Sequence, residues 1–394
     1  MNSEKIPSAL SPYLRLPPEA SLALVTSTLN TTANWVLLRY LYAALGNHNH
    51  GGTFGASLDL NNVDEKSTGV VLVSWMRDLA FWKTEARRAL VSAKMATPGL
   101  VCDTADAYLK QGIDLARLQQ QGRFAFVDGL TSLFAPPSPS PSAASTSAPQ
   151  TASTPAARSP LPSRSPIPTR GPQVARPPPS PTQAPSQSTT STSANASAQN
   201  THTLTNPTLA AILSTITTAL STLSTPRTLL ILDTPSLLLS STAPSITAAQ
   251  LTSFLLTLRA QPHVHATVIA LPADGPFLAA ARGAALAQLH GLRPGEDTHD
   301  DPLARENAAF MVSCVQMARW TVSCRMLGTG WAEDVSGVVR VTRGGRADED
   351  LEVEGEGEGQ GDDAGEEEVK EGEWLYYVGG DGGVRVWGRG ESGR

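Results

Sequence analysis

Cysteine is scarce: Cys102, Cys314 and Cys324 are the three in 394 residues. An odd number at such spacing builds neither a disulfide framework nor a metal knuckle, and reads as reduced thiols packed inside an intracellular protein. Long apolar runs are missing too. No segment of about 20 residues is free of polar breaks, which argues against a membrane span. No apolar stretch follows a basic start, so no secretory signal is expected. In an intracellular protein, Asn30-Thr31-Thr32 and Asn195-Ala196-Ser197 are chance matches to the glycosylation pattern. The sequence also lacks a Gly-x-Ser-x-Gly elbow and a His-Glu-x-x-His helix, so it offers neither a hydrolase nucleophile nor a zinc-protease site of those kinds.

Charge is unevenly spread. The net charge is −6, but Asp348–Glu373 alone holds 14 acidic residues and one lysine; setting that −13 aside leaves +7 for the rest. A mildly basic body with an acidic loop is compatible with nucleic-acid contact. Pro136 to about Thr205 is almost wholly Ser, Pro, Ala, Thr and Gln, with four arginines and no acids. It has too few large apolar residues to offset the entropy of ordering it, and is expected to be a disordered insertion with polyproline character. About 290 residues remain, on the order of one large α/β domain. The expected divisions are a flexible N-terminal arm (1–18), the first half of the domain (19–135), a Ser/Pro-rich insertion (136–206) and the second half (207–346). An acidic disordered loop (347–373) and a C-terminal hairpin and tail (374–394) complete the chain.

Between the insertions, apolar runs alternate with helix-spaced patterns. Leu22–Ser27, Val70–Trp75, Arg123–Val127, Thr228–Asp233 and His263–Leu271 read as strands. Trp35–Leu45, Leu79–Ala93, Ala105–Gln120, Leu209–Leu223, Thr247–Ala260 and Phe277–Leu289 read as helices. Such alternation implies a mostly parallel sheet covered on both faces. Gly337–Gly344, Trp374–Val378 and Val384–Trp387 instead alternate apolar with polar residues, and a glycine-rich turn joins the last two. They predict an antiparallel meander at one sheet edge. The fold expected is a RecA-like α/β domain interrupted twice.

The strand–loop–helix at Ser21–Leu41 has the layout of a phosphate-binding loop without its chemistry. Laying Gly-x-x-x-x-Gly-Lys-Ser/Thr over it puts Ser27 and Thr32 at the glycines, Ala33 at the lysine and Asn34 at the metal-binding hydroxyl. Phosphate binding needs glycines so that N–H groups can converge on oxygen, and a lysine to neutralise the charge. The loop has neither, and Thr31 or Thr32 is expected simply to cap the next helix. Asp233 and Asp128 close apolar strands, where nucleotide hydrolases hold magnesium. Without the lysine they read as relicts or turn formers. His48 and His50 form a weak metal pattern in a surface loop. His263 and His265 read as ordinary strand positions. No catalytic residue, metal or cofactor is expected.

Arg77, Lys83, Arg87 and Arg88 lie among Trp75, Phe81 and Trp82, and Arg340, Arg343 and Arg385 decorate the C-terminal meander. Arginines interleaved with aromatic residues suit RNA, holding phosphates while rings stack on unpaired bases. Aromatics packed inward beneath solvated or subunit-facing charges account for the same pattern.

Together, "LALVTSTLNTTANWVLLRYL", "VVLVSWMRDLAFWKTEARR", "GRFAFVDGLTSLF", "LLILDTPSLLL", "LGTGWAEDVSGVVRVTRGG" and "WLYYVGGDGGVRVWGRG" resemble, in this order, the Elongator complex protein 6 family in a filamentous-fungal style. The similarity covers about Leu22–Phe134 and Leu209–Gly390. It implies a RecA-like fold without a working phosphate loop and a hetero-hexameric ring with Elongator subunits four and five. It further implies association with the catalytic Elongator subunits, which modify the wobble uridine of tRNA, contact of the ring with tRNA, and a cytoplasmic or nuclear location. The family offers no catalytic residue to transfer. Two other readings stand beside it: an atypical nucleotide-hydrolysing or recombinase-like enzyme, and an adaptor acting through its Ser/Pro-rich segment.

Overall fold

The computed structural model describes residues 10–46, 67–88, 113–133, 200–240, 245–275, 279, 301–330, 332–345, 370–380 and 382–390. The strands are β1 (Leu22–Ser27), β2 (Thr68–Ser74), β3 (Phe124–Asp128), β4 (Thr201–Thr203), β5 (Arg227–Asp233), β6 (Val264–Pro272), β7 (Trp320–Arg325), β8 (Gly337–Arg343), β9 (Gly372–Val378) and β10 (Val384–Gly388). Between them lie α1 (Asn34–Leu45), α2 (Leu79–Arg88), α3 (Leu115–Gln120), α4 (Leu209–Ser221), α5 (Ala248–Arg259) and α6 (Pro302–Met317), with a 3-10 turn at Pro235–Ser240.

All ten strands form one sheet in the order β10-β9-β8-β7-β1-β6-β5-β2-β3-β4. From β7 to β4 every pairing is parallel; β7–β8, β8–β9 and β9–β10 are antiparallel. The α/β class, the mostly parallel sheet and the antiparallel C-terminal extension agree with the sequence pattern.

The apolar runs exist because both sheet faces are covered, so successive side chains enter opposite cores. Val70, Leu72, Leu229 and Ile231 join one core with α1, α2 and α3; Val71, Val73, Leu230 and Leu232 join the other with α4, α5 and α6. The helices carry matching signals. Thr247 and Gln250 close a reciprocal capping box on α5, and Asp301 caps α6 with Pro302 at its first turn.

Four expectations need correction. The N-terminal arm is not loose from residue 10 onward: Leu10, Tyr13 and Leu14 are buried in the α1-side core. The Tyr13 hydroxyl donates to the Lys370 carbonyl, and Tyr40 donates to the Tyr13 carbonyl at 2.8 Å. Composition assigned Thr201–Thr203 to the insertion, yet it forms β4, paired with Phe126–Asp128. Its sequence, Thr-His-Thr, carries no apolar signal because the strand sits at a sheet edge. Gly372 and Glu373, assigned to the acidic loop, open β9. Residues 302–325, for which the sequence pattern predicts no element, hold α6 and β7. Outside the described residues lie the expected helix Phe277–Leu289 apart from residue 279, the first part of Ala105–Gln120, the His48 and His50 loop, Cys102, and most of both insertions.

Candidate functional site

Parallel strands gather their carboxyl ends at one sheet edge, where α/β proteins place their sites. Here that edge carries the loop after β1 and the aspartates closing β3 and β5. In sheet order only β6 stands between β1 and β5.

The loop after β1 is closed on itself. Ser27 ends the strand, and its carbonyl accepts the Ala273 N–H at 2.8 Å. The Thr28 N–H donates to the Cys324 carbonyl at 3.1 Å and the Thr31 N–H to the Thr28 carbonyl at 3.0 Å. The Thr31 hydroxyl donates to the carbonyls of Thr28 and Cys324 at 2.7 and 3.1 Å. Asn30 supplies the bend with φ 65°, a left-handed value that asparagine tolerates. The Leu29 N–H donates to Oδ1 of Asp274, which follows β6. A phosphate loop aims such N–H groups at its ligand; here those of Thr28, Leu29 and Thr31 are spoken for, one of them by a carboxylate. The cap of α1 differs from expectation. Ala33 holds the N-cap position without a side-chain bond, while the Thr32 hydroxyl accepts the Asn34 N–H at 3.1 Å.

Asp233 is 2% exposed, and its carboxylate is equally committed. Oδ2 accepts from the Ser74 hydroxyl at 2.7 Å and from Arg77 Nη1 at 3.2 Å; Oδ1 accepts from the Thr234 hydroxyl at 3.1 Å. Arg77 thus belongs to an internal ion pair, its guanidinium 5.3 Å from the centre of the Phe81 ring. It supplies the positive charge that a metal would bring to a strand-terminal aspartate. Thr234 has φ 60°, rare for a β-branched residue and worth about 1–3 kcal/mol of strain. Its N–H, bonded to the Ala270 carbonyl at 3.0 Å, helps hold it there. Asp128 forms a turn, accepting from the N–H groups of Leu130 and Thr131 at 2.8 and 3.0 Å and from the Thr131 hydroxyl at 2.7 Å.

Three loops at this edge expose an apolar side chain: Leu29 after β1, Met76 after β2 and Leu130 after β3, at 74%, 47% and 41%. At the opposite end a depression of ≈ 670 Å³ lies where α4 meets the starts of β5 and β6, and His263 is the titratable residue in its lining. Among the described residues no group of three or more His, Cys, Asp or Glu is placed to hold a metal ion, and no helix is long and apolar enough to cross a membrane. Burial pushes the Cys314 and Cys324 thiols up to about 12, which leaves them unreactive.

The remaining cations divide into two places. On α2, Arg88 pairs with Glu85 at 3.1 Å and Arg87 with Asp114 at 3.8 Å, while Lys83 forms no ion pair among the described residues. The neighbouring Trp82 is fully buried. The meander is different. Trp374, Tyr376, Val378, Val384 and Val386 face the α1-side core, with the Tyr376 ring 5.3 Å from that of Trp35. Strand alternation puts Arg325, Arg340, Glu373, Tyr377, Arg385 and Trp387 on the other face. Glu373 receives Arg325 at 2.8 Å and pairs with Arg389, while Arg385 lies 5.2 Å from the centre of the Tyr377 ring. Arg343 has the opposite parity, and its N–H donates to Glu371 at 3.0 Å. Sequence reasoning missed Asp274, Arg325 and Glu373. Only alternation through residues 320–325 could have signalled Arg325.

The bond from Arg325, aided by the charges of Arg389 and Arg340, lowers the pKa of Glu373. A carboxylate with a depressed folded-state pKa adds stability above its unfolded value, near 4.3, and loses it as pH falls through the lowered value. Glu373→Gln is therefore expected to flatten the fall in melting temperature between about pH 5 and 3. An unchanged pH profile would remove Glu373 from the account.

The fold and the edge together define an α/β protein whose nucleotide-type loop and strand-end acid are occupied by its own side chains. No protein-family model matches the chain, and no curated protein matches it in sequence. Among solved structures it is similar to a KaiC-like protein from the hyperthermophilic archaeon Pyrococcus horikoshii. That likeness has a TM-score of 0.42 and 9% identity over 98% of this chain and 97% of the other. Similarity at that level assigns neither family nor function.

Proposed function

We propose that this chain is a non-catalytic, RecA-like scaffold subunit of the Elongator complex, assembled with subunits four and five into a hetero-hexameric ring. In this reading it supports wobble-uridine modification of tRNA without performing chemistry, needs no cofactor, and works in the cytoplasm or nucleus. The observation that carries the non-catalytic part is the double occupation at the carboxyl edge: Asp274 holds the Leu29 N–H and Arg77 holds Asp233. A nucleotide would have to displace a carboxylate at one point and a magnesium ion an arginine at the other. Leu29, Met76 and Leu130 favour assembly, because apolar side chains at the rim of a sheet edge suit burial against a partner. The named complex rests on the ordered sequence blocks.

Tagged chain pulled from its native extract is expected to bring two other RecA-like subunits in equal amounts, with the larger catalytic subunits and tRNA behind them. Recovery of the chain alone, or with DNA-repair partners, would sink the assignment. The same preparation is expected to show no saturable ATP hydrolysis that Asp233→Ala removes. Such hydrolysis would instead establish the atypical enzyme.

A further inference from the structure

The meander exposes a charged face whose natural counter-charge lies in the same chain. Arg325, Arg340 and Arg389 gather around the carboxylate of Glu373, and Arg385 lies further along the same face beside the Tyr377 ring. β8 and β9 are joined by residues 346–369, which hold 12 acids and one arginine. This connection leaves from Gly345 and returns at Lys370, at the end of two adjacent strands. The last acids of the run are already in place: Glu373 sits among the arginines, and Glu371 accepts the Arg343 N–H at 3.0 Å.

We propose that the acidic segment 346–369 docks on the Arg325–Arg340–Arg385–Arg389 face of its own meander and occupies it as an internal polyanion. Three features favour this occupant over a separate molecule: opposite charge, attachment at the rim of the face, and the bonding there of Glu371 and Glu373, the acids that directly follow the segment. Twenty-four residues reach roughly 40 Å out and back, enough to cross three strands spaced about 4.8 Å apart. Tethering makes the contact intramolecular, at an effective concentration on the order of millimolar. Any other anion approaching this face must compete with it. The inference holds whichever complex the chain joins.

The test is photochemical. Benzoylphenylalanine replaces Glu356 in the full chain, which is irradiated in cell extract and mapped by mass spectrometry. Cross-links are expected within 372–390 of the same chain. They should fall at least about fivefold in Arg340→Glu with Arg385→Glu and at about 0.5 M salt, where screening shortens to a few ångströms. Arg340→Lys with Arg385→Lys should retain them, which separates lost charge from lost folding. Cross-links spread evenly over the chain, or surviving the charge reversal, would overturn the proposal. So would cross-links joining differently isotope-labelled copies. Cross-linking of nucleic acid to benzoylphenylalanine placed at Tyr377, with the acidic segment intact, would assign the face to RNA instead.

Discussion

Arg77→Ala is expected to lower folding stability by about 3 kcal/mol, and Asp233→Ala by distinctly less. The asymmetry comes from burial. Asp233 is 2% exposed on its side chain and Arg77 25%. Removing the arginine leaves a carboxylate inside the fold with only the hydroxyls of Ser74 and Thr234 beside it. Removing the aspartate leaves a guanidinium that can turn to water while still lying near Phe81. Replacing both by apolar residues of similar size should recover much of the loss, because breaking a buried pair costs more than deleting it. Urea denaturation of the two single variants and an Arg77→Met with Asp233→Leu variant measures this directly. If both single variants unfolded at the urea midpoint of the natural chain, Arg77 would be a surface cation once more, available to RNA or a partner.

That ion pair shows what the sequence could and could not convey. The strand–loop–helix at Ser21–Leu41 declares its missing glycines and lysine openly. It cannot declare that Asp274, 245 positions away, bonds the loop, or that Arg77 reaches an aspartate 156 positions on. Those contacts depend on the strand order, which brings the ends of β1, β6, β5 and β2 side by side. Strands with both faces buried, such as Thr68–Ser74 and Arg227–Asp233, were legible because each is a continuous apolar run. Trp320–Arg325 was not. Its buried Trp320, Val322 and Cys324 alternate with polar residues directly after a helix rich in Met and Cys, so no periodicity stood out. Conversely, the charged face of the meander could be read early because its strands alternate cleanly. What the sequence left open there was partnership: Arg325 and Glu373 are cross-sheet neighbours separated by an entire strand and a long connection.

The N-terminal arm gives the second large effect, and it runs against composition. A stretch containing Pro7, Pro12, Pro17 and Pro18 reads as loose, yet Leu10 and Leu14 are fully buried and Tyr13 is 8% exposed. Proline breaks helix and sheet but does not prevent burial of the side chains between. The arm also completes a buried polar chain: Trp320 Nε1 donates to the Tyr40 hydroxyl at 3.1 Å, which donates to the Tyr13 carbonyl at 2.8 Å. Shortening the chain to begin at Pro17 would expose what Leu10 and Leu14 cover, at roughly 1.5–3 kcal/mol each. It would also leave the Tyr40 hydroxyl without its acceptor, costing about 1–3 kcal/mol more. A combined loss of about 5 kcal/mol equals the whole stability of many domains, so the shortened chain is expected to be largely unfolded at 25 °C. Leu14→Ala alone should cost about 2–5 kcal/mol, and Tyr40→Phe, which leaves the Trp320 Nε1–H and the Tyr13 carbonyl without their partner but opens no large cavity, about 1–3 kcal/mol. Thermal unfolding of the three variants distinguishes a packed arm from a loose one. A shortened chain that melted within a few degrees of the full one would return these residues to solvent and leave α1 to cover the sheet without them.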